Sequence, residues 1–214
     1  MRVEPAEGLK LLLGEFGISP GSESALKFRA FLALLQKWNA RINLTASTEW
    51  NYLRPFFGEG IWAAGFYPDW LERHLDIGSG AGFPGIPLAI LAPHTKLEMV
   101  ESRAKRAFFL ENVAAELGLG GILVHHARLQ VLLEKNRSIW DCFSWKGLKL
   151  SSCDLKQLCI QANSQSLFWM FHGKDWAIQN PADVKRLLEV VSSDKFPGRK
   201  DWKLSIFKKF PVQS

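Results

Sequence analysis

Along the first 70 positions, apolar residues recur at helical intervals. Leu9, Leu11, Leu12, Leu13 and Phe16 form one stripe that ends near Gly17. Leu26, Ala30, Phe31, Leu34, Leu35 and Trp38 form a second over residues 22–41. Steps of three and four match a repeat of about 3.6 residues, so both segments are expected to be amphipathic helices. Ser22 stands where its hydroxyl can accept a first-turn N–H, although no acid follows three positions on. A third helix is expected over residues 48–57.

From about residue 71 the pattern changes. Short apolar runs alternate with helical stretches: 74–77 then 84–91, 96–101 then 105–117, 122–126 then 129–135, 139–145 then 155–162, 166–172 then 181–190, and finally 203–210. Alternation of this kind predicts an α/β domain whose mainly parallel sheet is covered on both faces. The last two strand candidates are far apart and are expected to pair antiparallel at an edge, with residues 192–201 as a loop. Ligands of open α/β sheets bind at the carboxyl ends of the strands.

One of those ends carries the segment DIGSGAGFPGIPLAI, residues 76–90. Its glycines at 78, 80, 82 and 85 permit positive φ and close approach of a ligand, and they precede a helix whose first N–H groups are free. The spacing Gly80-x-Gly82-x-x-Gly85, with Glu101 at the end of the next strand, fits a dinucleotide site. It fits an S-adenosylmethionine site equally well in outline, with Asp76 ahead of the glycines and Glu101 for the ribose. Asp76 and the prolines at 84 and 87 favour the latter.

Composition narrows the class without choosing the ligand. The 214 residues are 47% hydrophobic and 22% charged, the balance of a globular chain able to bury a core. Nine Trp and 15 Phe imply much buried aromatic volume or stacking surface. No apolar run approaches the ~18 residues of a membrane span, and residues 1–10 lack a signal-peptide core, so a cytoplasmic protein is expected. Three Cys at 142, 153 and 159, without CxxC spacing, point to reduced buried thiols, not to disulfides or a metal site. The net charge of +6 favours a polyanionic partner.

Three segments together, KWNARINLTA (37–46), DIGSGAGFPGIPLAI (76–90) and VESRAKRAFFLENVAAELGL (100–119), resemble the bacterial small-subunit ribosomal RNA guanine-N7 methyltransferase family, glucose-inhibited division protein B. The resemblance covers residues 9 to about 130, and the tail KLSIFKKF stands where the family's last basic strand does. It implies a class I methyltransferase (Rossmann-like) fold with a mostly parallel seven-stranded sheet. Residues 1–70 would be a helical extension and residues 71–214 the S-adenosyl-L-methionine-binding domain. It further implies that Asp76, Gly78, Ser79, Gly80, Ala81, Gly82, Phe83 and Gly85 cradle the methionine part, that Glu101 and Ser102 hold the ribose side, and that Arg128 lies near the cofactor. The implied partner is small-subunit ribosomal RNA, free or in the assembled subunit, met by a monomer.

The family chemistry names no conspicuous catalytic residue. Guanine N7 exposes a lone pair on its major-groove edge and needs no prior proton removal. Substrate-face candidates are Asn39 and Asn43, four apart on the second helix, together with Arg54, Lys146 and His172. Asn43 and Thr45 could equally terminate that helix and cap the next. Lys37, Arg41, Lys105, Arg106, Lys208 and Lys209 are further cations for RNA, informative only if they cluster beside the cofactor. Three segments depart from the family. Pro55 and Gly58, Glu59 and Gly60 replace its His and Asp-Ser-Leu, Ser144-Trp145-Lys146 replaces Ser-Arg-Ala, and Phe171-His172-Gly173 replaces Leu-Lys-Gly. These departures keep open a cofactor- or RNA-binding regulatory protein of weak catalysis. The glycines alone keep open a nicotinamide-dependent oxidoreductase.

Overall fold

The computed structural model describes residues 3–173 and 184–210. Three helices lead: α1 (Pro5–Glu15), α2 (Glu23–Asn39) and α3 (Trp50–Ala64). Strands and helices then alternate: β1 (Arg73–Ile77), α4 (Gly85–Leu91), β2 (Lys96–Glu101), α5 (Ala104–Glu116), β3 (Ile122–His126), α6 (Leu129–Lys135), β4 (Trp140–Lys146), α7 (Ser152–Ile160) and β5 (Ala162–His172). The short α8 (Val184–Leu187), β6 (Leu188–Lys195) and β7 (Lys203–Lys209) complete the described chain.

The seven strands lie in the order β3-β2-β1-β4-β5-β7-β6. The first five are parallel, and β7 runs antiparallel between β5 and β6. The order reverses at β1, with β2 on one side and β4 on the other, so a crevice opens at the carboxyl ends of β1 and β4. One face of the sheet carries α1 to α5. Leu9, Phe28, Phe31, Phe57 and Leu110 share one buried cluster with Leu97 and Met99 of β2. The other face carries α6, α7 and α8, packed on Leu75, Val100, Phe143 and Phe168.

Local chemistry accounts for the helix starts. The Ser22 hydroxyl accepts the Ala25 N–H at 3.2 Å and caps α2. Ser151 and Asp154 form a reciprocal capping box that starts α7. In α2 the buried face is Ala25, Phe28, Phe31, Leu32 and Leu35, while Leu26 and Ala30 face solvent, as does Leu11 in α1. The apolar stripe is therefore rotated from the expected one, because Phe28 and Phe31 anchor it against α3.

Four expectations are corrected. The third helix spans Trp50–Ala64, not residues 48–57, and runs through Pro55. Leu53, Phe57 and Ile61 recur every four residues and bury one face, and Gly60 lets Pro87 of α4 approach to 2.6 Å of where a Cβ would stand. This packing outweighs the lost helical N–H. Ala162 opens β5 and does not end α7, because it pairs with Trp140 before a bulge resets the register to Cys142–Leu167. The helix expected over 181–190 is α8 followed by the start of β6, and residues 181–183 fall outside the described ones. Residues 192–195, expected in a loop, belong to β6, whose Leu188 is buried beside α8 while Val190 faces solvent. The antiparallel edge is thus a β6–β7 pair laid against β5.

Candidate active site

The carboxyl end of β1 turns through the glycine segment and is stitched to β2. Gly78 and Ser79 donate to the Val100 carbonyl at 2.8 and 3.2 Å, and Gly82 donates to Ser79 at 2.7 Å. Gly82 has φ of 87°, a conformation that a side chain would strain. Gly85 opens α4 so close to the sheet that a Cβ there would stand 2.8 Å from Met99 and 2.9 Å from Asp76 Oδ2. These glycines bring the first turn of α4 onto the sheet.

Asp76 faces the α3–α4 side and is 2% exposed. The Ser144 hydroxyl, opposite it on β4, donates to Oδ1 at 2.6 Å, while Oδ2 has no hydrogen-bond partner among the described residues. Burial pushes its carboxyl above the usual range, and the Ser144 hydrogen bond and nearby Lys146 oppose this. Glu101, at the end of β2, is a strut: its oxygens accept the Gly80 N–H at 3.0 Å and the Arg103 N–H at 2.8 Å. One carboxylate therefore ties the glycine loop to the start of α5. Each of its oxygens retains a second lone pair.

A crevice of about 340 Å³ lies beside this strut, within the range of small-molecule sites. Gly78, Glu101, Ser102 and Arg128 line it, all expected cofactor residues. Its wall also includes Gln130, in the first turn of α6, and Leu148, in the turn after β4, which sequence reasoning missed because both reach the site from beyond other strands. Asp76, Ser79, Gly80, Ala81, Gly82, Phe83 and Gly85 shape the turn behind it. Phe83 packs against Phe31, Phe56 and Phe57, with ring centroids 5.2, 5.7 and 5.0 Å away. The residues suit S-adenosylmethionine: a strand-end carboxylate with lone pairs to spare fits a ribose diol, and Arg128 and Gln130 offer polar groups to a purine edge.

The substrate-face candidates separate. Asn39 ends α2, and its side-chain oxygen accepts the Leu44 and Thr45 N–H groups at 3.0 and 2.9 Å, so it holds the following turn. Asn43 lies beyond the helix, exposed, and does not share a helical face with Asn39. Arg54 is paired with Glu15 at 2.7 Å. Lys146 is half-buried and paired with Glu59, which also accepts from Trp202 Nε1, and its ammonium stands 4.5 Å from the Phe56 ring centroid. Burial pushes the Lys146 pKa down, against the pull of Glu59. His172 bonds Ser205 Oγ at 2.8 Å and the Gly173 carbonyl at 2.9 Å, and burial lowers its pKa, so it is a neutral link between β5 and β7. Of the further cations, Arg41, Lys105 and Arg106 gather at the start of α5. Lys208 and Lys209 lie toward the other end of the sheet, Lys208 opposite Leu167 and Lys209 donating to the Ala162 carbonyl. Cys142 is buried, but Cys153 is exposed, contrary to expectation. No helix among the described residues is long and apolar enough to cross a membrane.

Comparison with known proteins adds the lineage. The family model GidB, rRNA small subunit methyltransferase G, matches residues 24–174. A Geobacillus protein named ribosomal RNA small subunit methyltransferase G is 38% identical over 155 residues, 70% of this chain and 64% of that protein. Its namesake in Exiguobacterium sibiricum is 42% identical over 122 residues, 55% of this chain and 50% of that protein. The chain thus spans between half and two thirds of the length of these relatives. Among solved structures, precorrin-6y C5,15-methyltransferase from Geobacter metallireducens matches with TM-score 0.55 at 13% identity, over 72% of this chain and 87% of that one. A mutant of MtNAS in complex with S-adenosylmethionine matches with TM-score 0.58 at 16% identity, over 96% of this chain and 84% of that one. The sheet is therefore a class I methyltransferase sheet.

Proposed function

The chain belongs to the GidB family, rRNA small subunit methyltransferase G, and from that premise we propose that it transfers a methyl group from S-adenosylmethionine to N7 of a guanine in small-subunit ribosomal RNA. The observation that carries this reading is the Glu101 strut on the wall of a small-molecule crevice at the topological switch point. In this reading residues 1–70 are a helical extension and the cofactor-binding domain begins near residue 71. The protein acts in the cytoplasm as a monomer.

When bound, the cofactor supplies a methyl group on a sulfonium leaving group. The chain's own work is positional. Glu101 accepts hydrogen bonds from the ribose, and because its oxygens are already fixed by two backbone N–H groups, little freedom is lost on binding. Leu148 and Leu150 keep water from one wall. Asp76, braced by Ser144, sets the geometry of the turn that presents the glycine backbone. Alignment of this kind supplies a large part of a transfer barrier without an acid or base.

Purified protein incubated with methyl-labelled S-adenosylmethionine and under-methylated small subunits, or their naked RNA, should yield labelled 7-methylguanosine in a nucleoside digest. Calorimetric binding of the cofactor with no label in RNA at high protein concentration would defeat the reading. The altered segments around Glu59, Lys146 and His172 favour a second reading, a cofactor-binding regulatory protein, and that outcome would support it.

A further inference from the structure

A second cleft, of about 370 Å³, adjoins the first turn of α5 and shares Arg103 and Arg106 with the cofactor crevice. Its lining comprises Arg41, Asn43 and Ile42 from the turn after α2, and Arg103, Lys105 and Arg106 around the start of α5, with Ala104 between them. Four of these seven residues are cations and none is an acid. Like charges so close repel one another, yet two separate elements bring them together here.

The contrast with other basic residues is informative. Arg54 is paired with Glu15, Arg73 with Glu98, Lys146 with Glu59 and Lys27 with Glu23. Among the described residues no salt bridge engages Arg41, Arg103 or Lys105. Arg106 is held in place by donating to the Asn43 carbonyl at 3.0 Å. That bond joins α5 to the turn after α2, the two elements that line the cleft.

Arg106 is also the bridge to the cofactor. It lines both cavities, and its Nη1 is 3.7 Å from where a Cβ would stand on Gly80, the residue tied to Glu101. An anion in the basic cleft therefore sits within one side chain of the methyl-donor loop.

We propose that this cleft grips the phosphodiester backbone of the substrate RNA, and that Arg106 connects the gripped strand to the cofactor loop. The proposal rests on the RNA-methyltransferase reading above and assigns the strand-holding part of it to Arg41, Arg103, Lys105 and Arg106. Phosphate is the matching chemistry: Arg offers planar paired donors and Lys a point charge, and four cations around one concavity suit a chain of anions better than a single carboxylate. The cleft is open and exposed, as an extended strand requires, and Asn43 adds an amide able to meet sugar or base edges.

Arg41 and Lys105 are exposed and line only the basic cleft, so an R41A/K105A variant should fold and keep its cofactor affinity. Filter binding of under-methylated small-subunit RNA would be measured across potassium chloride concentrations, with cofactor affinity by calorimetry and folding by circular dichroism. The expected result is RNA affinity at least ~10-fold weaker for the variant, with the slope of log K against log salt reduced by roughly 1.4, about 0.7 for each phosphate no longer neutralised. Unchanged RNA affinity and slope in the folded variant would overturn the proposal while leaving methyl transfer by the wild type as a separate result. Inorganic phosphate raising the melting temperature of the wild type alone, with the RNA slope unmoved, would make the cleft a small-anion site and equally overturn it. Salt-dependent RNA binding that disappears in the variant, with no methyl transfer by the wild type, would uphold the cleft and sink the enzymatic reading.

Discussion

Two halves of the sheet's carboxyl rim treat their polar groups in opposite ways. At β1 and β2 the groups are left with valence to spare. Glu101 is fixed by backbone yet keeps lone pairs, and among the described residues Asp76 Oδ2 has no hydrogen-bond partner and Arg41, Arg103 and Lys105 have no counter-ion. At β4, β5 and β7 the groups consume one another: Lys146 and Trp202 meet Glu59, and His172 meets Ser205 and Gly173. The first half leaves bonding capacity open, and the second spends it on internal contacts. In the second half Lys146 and Glu59 balance each other's charge. Glu59 lies on α3 and Lys146 on β4, and they meet although 87 residues separate them.

The comparison breaks most sharply at Lys146. Lys146→Met leaves the Glu59 carboxylate buried without its cation, which should cost about 3–5 kcal/mol and roughly 10 °C in melting temperature. Adding Glu59→Gln should recover much of that loss, as a thermal-melt double-mutant cycle would show. If Lys146→Met melts like the wild type and instead loses methyl transfer, Lys146 belongs with the ligand-facing half.

Glu101→Ala is the matching test on the other side. It removes two charge-assisted hydrogen bonds within the protein as well as the ribose acceptor, at about 1.5–3 kcal/mol per bond. Cofactor affinity should fall roughly 100-fold or more by calorimetry. Binding that survives within a few-fold would remove Glu101 from the site.

Acid should act through the buried interior, not the rim. His74 is hydrogen-bonded to Tyr67 and is pushed down to about 3 by burial. Between pH 6.5 and 3 the unfolded chain binds a proton that the folded one refuses, so stability is present above pH 6.5 and is lost as pH falls through that window. His172, also lowered by burial, acts in the same direction. Glu98 resists burial because His125, Arg73 and Trp140 donate to it, which holds it at about 2. Its contribution is therefore lost later, as pH falls from about 4.5 toward 2. Urea denaturation at a series of pH values should show a decline beginning near pH 6.5, and His74→Gln should flatten that limb. A limb of unchanged slope would assign it elsewhere.

The smallest effect is expected at Arg54. Its pair with Glu15 is half exposed, so Arg54→Ala should change stability by less than about 1 kcal/mol and RNA affinity by less than about twofold. A large loss of RNA affinity would extend the RNA surface across α3.

Much of this was legible in the chain before its structure. Parallel strands were readable because each is a short apolar run bounded by turns. The glycine turn was readable because glycine spacing and a strand-end acid are local features, so Glu101 and Gly78 could be named in advance and do line one crevice. Helix α3 was taken too short because its continuation past Phe57 depends on Pro87 filling the space beside Gly60, an approach that no window of sequence contains. The edge strand β6 was missed because its exposed Val190 and Val191 mimic a helix's irregular pattern, and only pairing with β7 defines it.

The sequence by itself determined the fold class and the glycine turn beside the crevice, since both follow from periodicity and from turn chemistry spanning a few residues. Only the tertiary structure decided which polar groups are free. Lys146 and His172 read as substrate cations until Glu59 and Ser205 are brought to them, and Arg41, Lys105 and Arg106 read as separate surface charges until α2 and α5 close on one another. Pairing of charge is a property of distance in space, and distance along the chain does not contain it.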